Sequence, residues 1–154
     1  RFTTRLYTSR DRNTVDVYLT DIAVDDLLDF GGAAGGPAGN VVHIHMFLYP
    51  KAGRTPIDFT ASNCTITHIV MVGDAVGVYG GGGFLLPSGA PGGARFGGRI
   101  RGASMRLMSS TATFDDRLGA SELSGGVSAS RDEQAAQDIG AWMARTVRSL
   151  ATER

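Results

Sequence analysis

A chain of 154 residues with 15 basic and 15 acidic side chains carries no net charge. That balance removes the long-range attraction by which proteins find nucleic acid or anionic membranes, and it favours self-association over colloidal repulsion. The length suits one domain, residues 1–154, able to bury about 70% of its unfolded surface without disulfide or metal staples.

Phe2–Thr8 and Thr14–Thr20 read as the first two strands, joined by a polar turn over Ser9–Asn13. In the second strand Val15, Val17 and Leu19 alternate with Thr14, Asp16 and Tyr18, the period-2 pattern of a half-buried strand. Thr20 or Asp21 is placed to cap a short helix over Ala23–Phe30, with Asp25 and Asp26 near its positive end. The segment Gly31–Gly39 reads as a surface loop.

Val41–Tyr49 is the clearest strand, with Val42, Ile44, Met46 and Leu48 on one face and Val41, His43, His45, Phe47 and Tyr49 on the other. It is also part of the longest apolar stretch, which is too short to span a bilayer, so no transmembrane segment is expected. Pro50–Ser62 reads as a connection with turn chemistry at Gly53 and Pro56. Asn63–Val72 is the next strand, and Gly73-Asp74 makes a two-residue hairpin turn into Ala75–Tyr79. Cys64 stands in a strand-like run as the only cysteine, which excludes an intrachain disulfide and predicts a small buried hydrophobe.

Twelve of the 22 glycines fall between Gly73 and Gly102, including the run Gly80, Gly81, Gly82, Gly83. Glycine loses more backbone entropy on folding than any other residue, so four in a row between strand-like segments require a bend, a bulge or a close approach. Gly77 and Gly80–Gly83 are therefore assigned to a bend or packing contact in a strand, beneath or beside the C-terminal helix. A phosphate-binding role is not expected. The only lysine, Lys51, lies far from the run, the G-x-G-x-x-G spacing is absent, and Phe84–Pro87 cannot open the helix that would hold the anion.

Phe84–Leu86 continues as strand, Ser88–Ala94 is a loop, Phe96–Met108 is a long strand and Ser109–Leu118 is irregular. Leu123–Ala129 is the last strand. Ser130 and Glu133 fit a capping box for a helix over 131–152, whose apolar stripe runs through Ala135, Ala136, Ile139, Trp142, Met143, Val147 and Leu150. Arg145, Arg148 and Arg154 gather toward its negative end. Seven to eight short strands followed by one amphipathic helix imply an α+β fold: a mostly antiparallel, curved sheet or partly closed barrel covered by that helix.

Two constellations carry candidate chemistry. His43, His45 and His68 are the only histidines; the first two share a strand face about 7 Å apart. An antiparallel pairing of Tyr49 with Cys64 would set His45 opposite His68, giving three imidazoles able to hold zinc or another divalent ion. No acidic residue lies within 41–50 to orient these rings, Asp58 being the nearest in that region. The second constellation is basic: Arg95, Arg99, Arg101 and Arg106 have no acidic residue between them, and Arg99 and Arg101 share a face. An anion or an acidic partner would dock there, or the arginines pair with Asp21, Asp25, Asp26 and Asp29. Nucleic-acid binding would need more positive charge and interleaved aromatics than this chain has. Cys64 and His68 are four residues apart on a strand, about 13 Å, which excludes a local thiol–imidazole dyad.

With no catalytic signature such as G-x-S-x-G or H-E-x-x-H, the leading expectation is a non-enzymatic binding or structural module. A homo-oligomer, an envelope protein partner or a small apolar ligand inside the barrel are its candidate companions. The alternative is a metal-binding protein or metal-dependent enzyme using the three histidines; no nucleotide cofactor is expected. Arginine, alanine and glycine usage reads as that of a high-GC bacterial genome. A cleaved secretory or lipoprotein leader, or a trimmed tag, would account for a chain that begins at Arg1, so an envelope or secreted location stands beside a cytoplasmic one.

Overall fold

The computed structural model describes residues 1–31, 35–54 and 61–152. Seven strands follow one another around a closed barrel: β1 (Thr4–Ser9), β2 (Val15–Thr20), β3 (Gly39–Met46), β4 (Cys64–Val72), β5 (Ala75–Pro87), β6 (Arg95–Ser110) and β7 (Ser121–Arg131). Each pairs antiparallel with the next. The ring closes where β1 meets β7 in parallel, through Leu6 opposite Ser130 and Tyr7 opposite Arg131. Helix α1 (Val24–Asp29) separates β2 from β3, and helix α2 (Glu133–Thr152) ends the described chain. Among the described residues no helix is long and apolar enough to cross a membrane.

The period-2 pattern divides the apolar residues into two cores. One fills the lumen with Tyr7, Val15, Val17, Leu19, Val42, Ile44, Met46, Cys64, Ile66 and their neighbours. The other lies outside the barrel wall, where Tyr18, Val41, Ile69, Met71, Val76 and Val78 meet Ala136, Ile139, Trp142, Met143 and Leu150 of α2. The wall behind α2 is therefore packed on both faces, and β2 is buried along its whole length, its polar Asp16 and Thr20 included.

Local chemistry explains most of the turns. The Asp11 carboxylate accepts the backbone N–H of Asn13 and of Thr14, closing the β1–β2 turn as an Asx turn. Gly73 and Asp74 form the two-residue turn between Val72 and Ala75, which pair across it. The expected side-chain caps are not used as read. Thr20 accepts the Ile22 N–H, and Ala23 stands at the cap position of α1, which has no side-chain cap. Asp21 is occupied with Asn40. For α2 the cap is Asp132, which accepts the Ala135 N–H, and not Ser130. Ser130 stays in β7, paired with Arg95 on one side and Leu6 on the other, so the strand and not a capping box decides where the helix begins.

The glycine run is strand throughout. Gly80–Gly83 lie in the middle of β5, between Thr67–Cys64 of β4 and Arg106–Ser104 of β6. A Cβ on Gly81 would stand 1.7 Å from the Ser104 carbonyl oxygen, and one on Gly83 would stand 2.6 Å from the Ala103 Cβ. The run thus marks a close approach of two strands, next to the register shift between Gly82 and Phe84. There β6 advances three residues against two of β5, and Gly102, inside that bulge, has φ +59°. The placement beside the C-terminal helix is not found: β5 gives only Val76 and Val78 to the core beneath α2, and the glycines lie further along the strand. At Gly77 the neighbour is the Phe114 ring, 2.3 Å from where a Cβ would be.

Candidate functional site

The lumen is not filled to its end. A cavity of about 420 Å³ opens between Phe2 and the first half of β7, where β1 no longer pairs with β7. Its wall is mostly apolar, with Leu19, Val42, Ile44, Ile100, Met105 and Val127 among the lining residues. Leu118 and Leu123 line it as well, yet are substantially exposed. His68 and Tyr79 are the polar rings in its lining and face each other across the β4–β5 pairing with ring centroids 6.0 Å apart, while Ser121, Glu122 and Ser124 line it from β7.

The tautomer of His68 follows from its neighbours. The Asp21 carboxylate can only accept, and it takes the Asn40 backbone N–H at 2.6 Å and the Asn40 Nδ2 at 2.9 Å. The Asn40 amide oxygen is thereby turned to His68, whose Nε2 lies 2.9 Å away and must donate. Burial pushes the imidazole below its ordinary pKa, with the Asp21 charge a smaller opposing effect. The ring is thus neutral at pH 7 with its proton on Nε2, and Nδ1 is left with an open lone pair. Tyr79 donates to Asp116 at 2.7 Å. Burial, then that carboxylate, pushes its phenol up to about 12.

The structure separates the three histidines. His43 and His45 lie on the outer face of β3, whereas His68 pairs opposite Val42 and points into the lumen. The expected register set residue numbers summing to 113 across β3 and β4; the observed sum is 110. An odd shift exchanges the two faces of a strand, so His68 cannot join the other two.

What His43 and His45 meet instead is Asp16, on the neighbouring β2. Its Oδ1 lies 2.7 Å from His43 Nε2 and 2.8 Å from His45 Nδ1. Burial alone would raise the Asp16 carboxyl, but the two imidazole contacts outweigh it and hold the group below its ordinary value. Tyr18, next on the same face, stacks on His43 at 4.5 Å and 4°. The missing acidic partner of the histidines was therefore upstream, not in the 41–50 strand. The alternation of β2 already places Asp16 on the face opposite Val15 and Val17; what it lacks is the knowledge that this face adjoins β3. Asp58 lies outside the described residues, as do Pro56 and Arg154.

The arginines do not converge on a pocket. Arg99 and Arg101 sit exposed on the outer face of β6, opposite Leu86 and Phe84, and Arg95 donates to Ser128. Among the described residues none of them, nor Arg106, forms an ion pair with the aspartates of 21–29. Cys64 is buried in the lumen wall with its sulfur directed at the Gly83 carbonyl, and burial pushes its thiol up. No family model, curated protein or solved structure matches this chain.

Proposed function

We propose that the barrel is a binding module for a small, mainly apolar molecule carrying one hydroxyl or N–H group. The observation that carries this reading is the cavity of about 420 Å³ whose apolar wall is interrupted by an open imidazole nitrogen. Its volume falls within the roughly 300–1,000 Å³ of small-molecule sites, which pair apolar walls with a few placed polar groups. A neutral His68 with its proton fixed on Nε2 accepts at Nδ1, so it selects a ligand that donates. Leu118 and Leu123 at the mouth would lose their exposed apolar surface when a ligand covers them.

Binding without catalysis is favoured by the rest of the lumen. The strongest nucleophile, Cys64, is buried with a raised thiol pKa, and Tyr79 is committed to Asp116. N-phenyl-1-naphthylamine, an apolar fluorophore with a single N–H donor, is a suitable probe. We expect saturable fluorescence enhancement at one probe per chain. Val127→Trp, which fills the cavity from β7, should abolish it, and His68→Leu should weaken it about five- to tenfold, the worth of one hydrogen bond. No saturable enhancement, or enhancement that persists in a folded Val127→Trp variant, would refute the reading.

A further inference from the structure

We propose that Asp16, His43 and His45 form a site for one divalent transition-metal ion on the outside of the barrel, independent of the lumen. The three side chains come from two adjacent strands in a fixed register: Asp16 is paired with His45, and Tyr18 with His43. Side chains that alternate along paired strands leave these residues on one face with no chain between them. One ligand atom from each, Asp16 carboxylate oxygen and one nitrogen per imidazole, lies within 4.8 Å of the others. Small rotations of the two rings then bring all three to the bonding distance of one ion, about 2.0–2.2 Å.

The surroundings hold the ligands in place. The Tyr18 ring lies flat against His43, and Tyr18 is itself wedged under α2, where Gly140 leaves it room. A Cβ on Gly140 would stand 2.6 Å from the Tyr18 hydroxyl. His45 packs beside Phe47 with ring centroids 6.5 Å apart. Asp16, with a side chain only 12% exposed, is the anchored member, while His43 and His45 are 25% and 35% exposed. The site is thus open on one side. Asp16 also borders a cleft of about 450 Å³ between α2 and β1–β2, lined by Ser9, Arg10, Glu133 and Gln137.

Donor chemistry selects the ion. Two imidazole nitrogens and one carboxylate oxygen suit zinc, iron(II), cobalt or nickel, whereas magnesium and calcium take oxygen ligands. Three protein ligands leave at least one position for water, the arrangement of a reactive rather than a closed structural site.

The test uses the full chain without a histidine tag, stripped with EDTA, and titrated with zinc chloride by calorimetry and with cobalt chloride by visible absorption. We expect one ion per chain and cobalt d–d bands of a nitrogen–oxygen site. His45→Gln, at the most exposed ligand, should weaken zinc by at least about 100-fold, beyond the roughly 10–100-fold that loss of an outer-shell partner costs. His68→Gln, in the lumen, should leave zinc binding unchanged. Circular dichroism confirms that both variants fold. The inference is overturned by no stoichiometric binding, by binding that survives His45→Gln, or by an equal loss in His68→Gln. Because the fluorophore reads the lumen and cobalt reads the outer face, each proposal fails separately.

Discussion

Replacing Gly81 by alanine tests how closely β5 and β6 approach. The new methyl carbon would lie 1.7 Å from the Ser104 carbonyl oxygen, a backbone atom that no rotamer change can move. Carbon and oxygen settle at about 3.3 Å even in the close contacts of sheets, so the strands must part by roughly 1.6 Å. That displacement breaks about two ladder hydrogen bonds worth about 1 kcal/mol each, and overpacking adds about 1–3 kcal/mol. Alanine recovers about 0.4–1 kcal/mol by restricting the unfolded chain. The net cost is about 3 kcal/mol, which for a domain of this size lowers Tm by about 6–12 °C. Two controls bracket it. Gly31→Ala meets nothing within 4 Å and should change Tm little. Gly80→Ala meets the Met108 side chain at 2.9 Å, which can yield, and should fall between. Thermal denaturation followed by far-UV circular dichroism reads all three. A Gly81→Ala protein melting within 2 °C (roughly 0.5–1 kcal/mol) of the parent would refute the close approach of β5 and β6.

Asn63, fully buried, donates to the carbonyls of Leu48 and Leu85 and accepts the Leu85 N–H at 2.7 Å; Asn63→Ala should cost about 2–4 kcal/mol by leaving buried backbone groups unpaired, measured as a shift in the urea midpoint. His68, faced by Asn40, the Asp21 charge, Tyr79 and the cavity's Glu122, has a folded pKa below its unfolded value of 6.5. Its contribution to stability is therefore complete above about pH 6.5 and is lost as pH falls from there toward the folded value. Urea midpoints at pH 8 and pH 5.5 should differ less in His68→Gln than in the parent, and an equal difference would refute the assignment. Tyr18 and Tyr79 are both pushed up to about 12, so ultraviolet titration should show late-ionising phenols, one fewer in Tyr79→Phe.

The fold was legible because its elements are built from local patterns. Val15, Val17 and Leu19 alternate, Gly73-Asp74 closes a hairpin, and the apolar stripe from Ala136 to Leu150 marks a helix that packs outside the barrel. The capping box was misread because Ser130 satisfies its backbone in the ladder with Arg95 and Leu6, a pairing invisible along the chain. The candidate sites were legible only in part. His43 and His45 were correctly placed on one face, but Asp16 belongs to a strand 27 residues upstream of His43, and nothing local joins them.

By itself the sequence determined which segments become strand and helix, and that the glycine run of β5 marks a close backbone approach. Tertiary structure alone decided which faces meet. The thirteen residues that read as the connection, Pro50–Ser62, allow more than one register in sequence, so the parity of the β3–β4 pairing was open, and parity selects the face of every side chain beyond it. An even sum of 110 sends His68 into the lumen beside Tyr79 and leaves His43 and His45 outside with Asp16. One residue of slip would have exchanged them. The physical reason is that strand alternation is a local property, whereas register is set by the closure of the whole barrel.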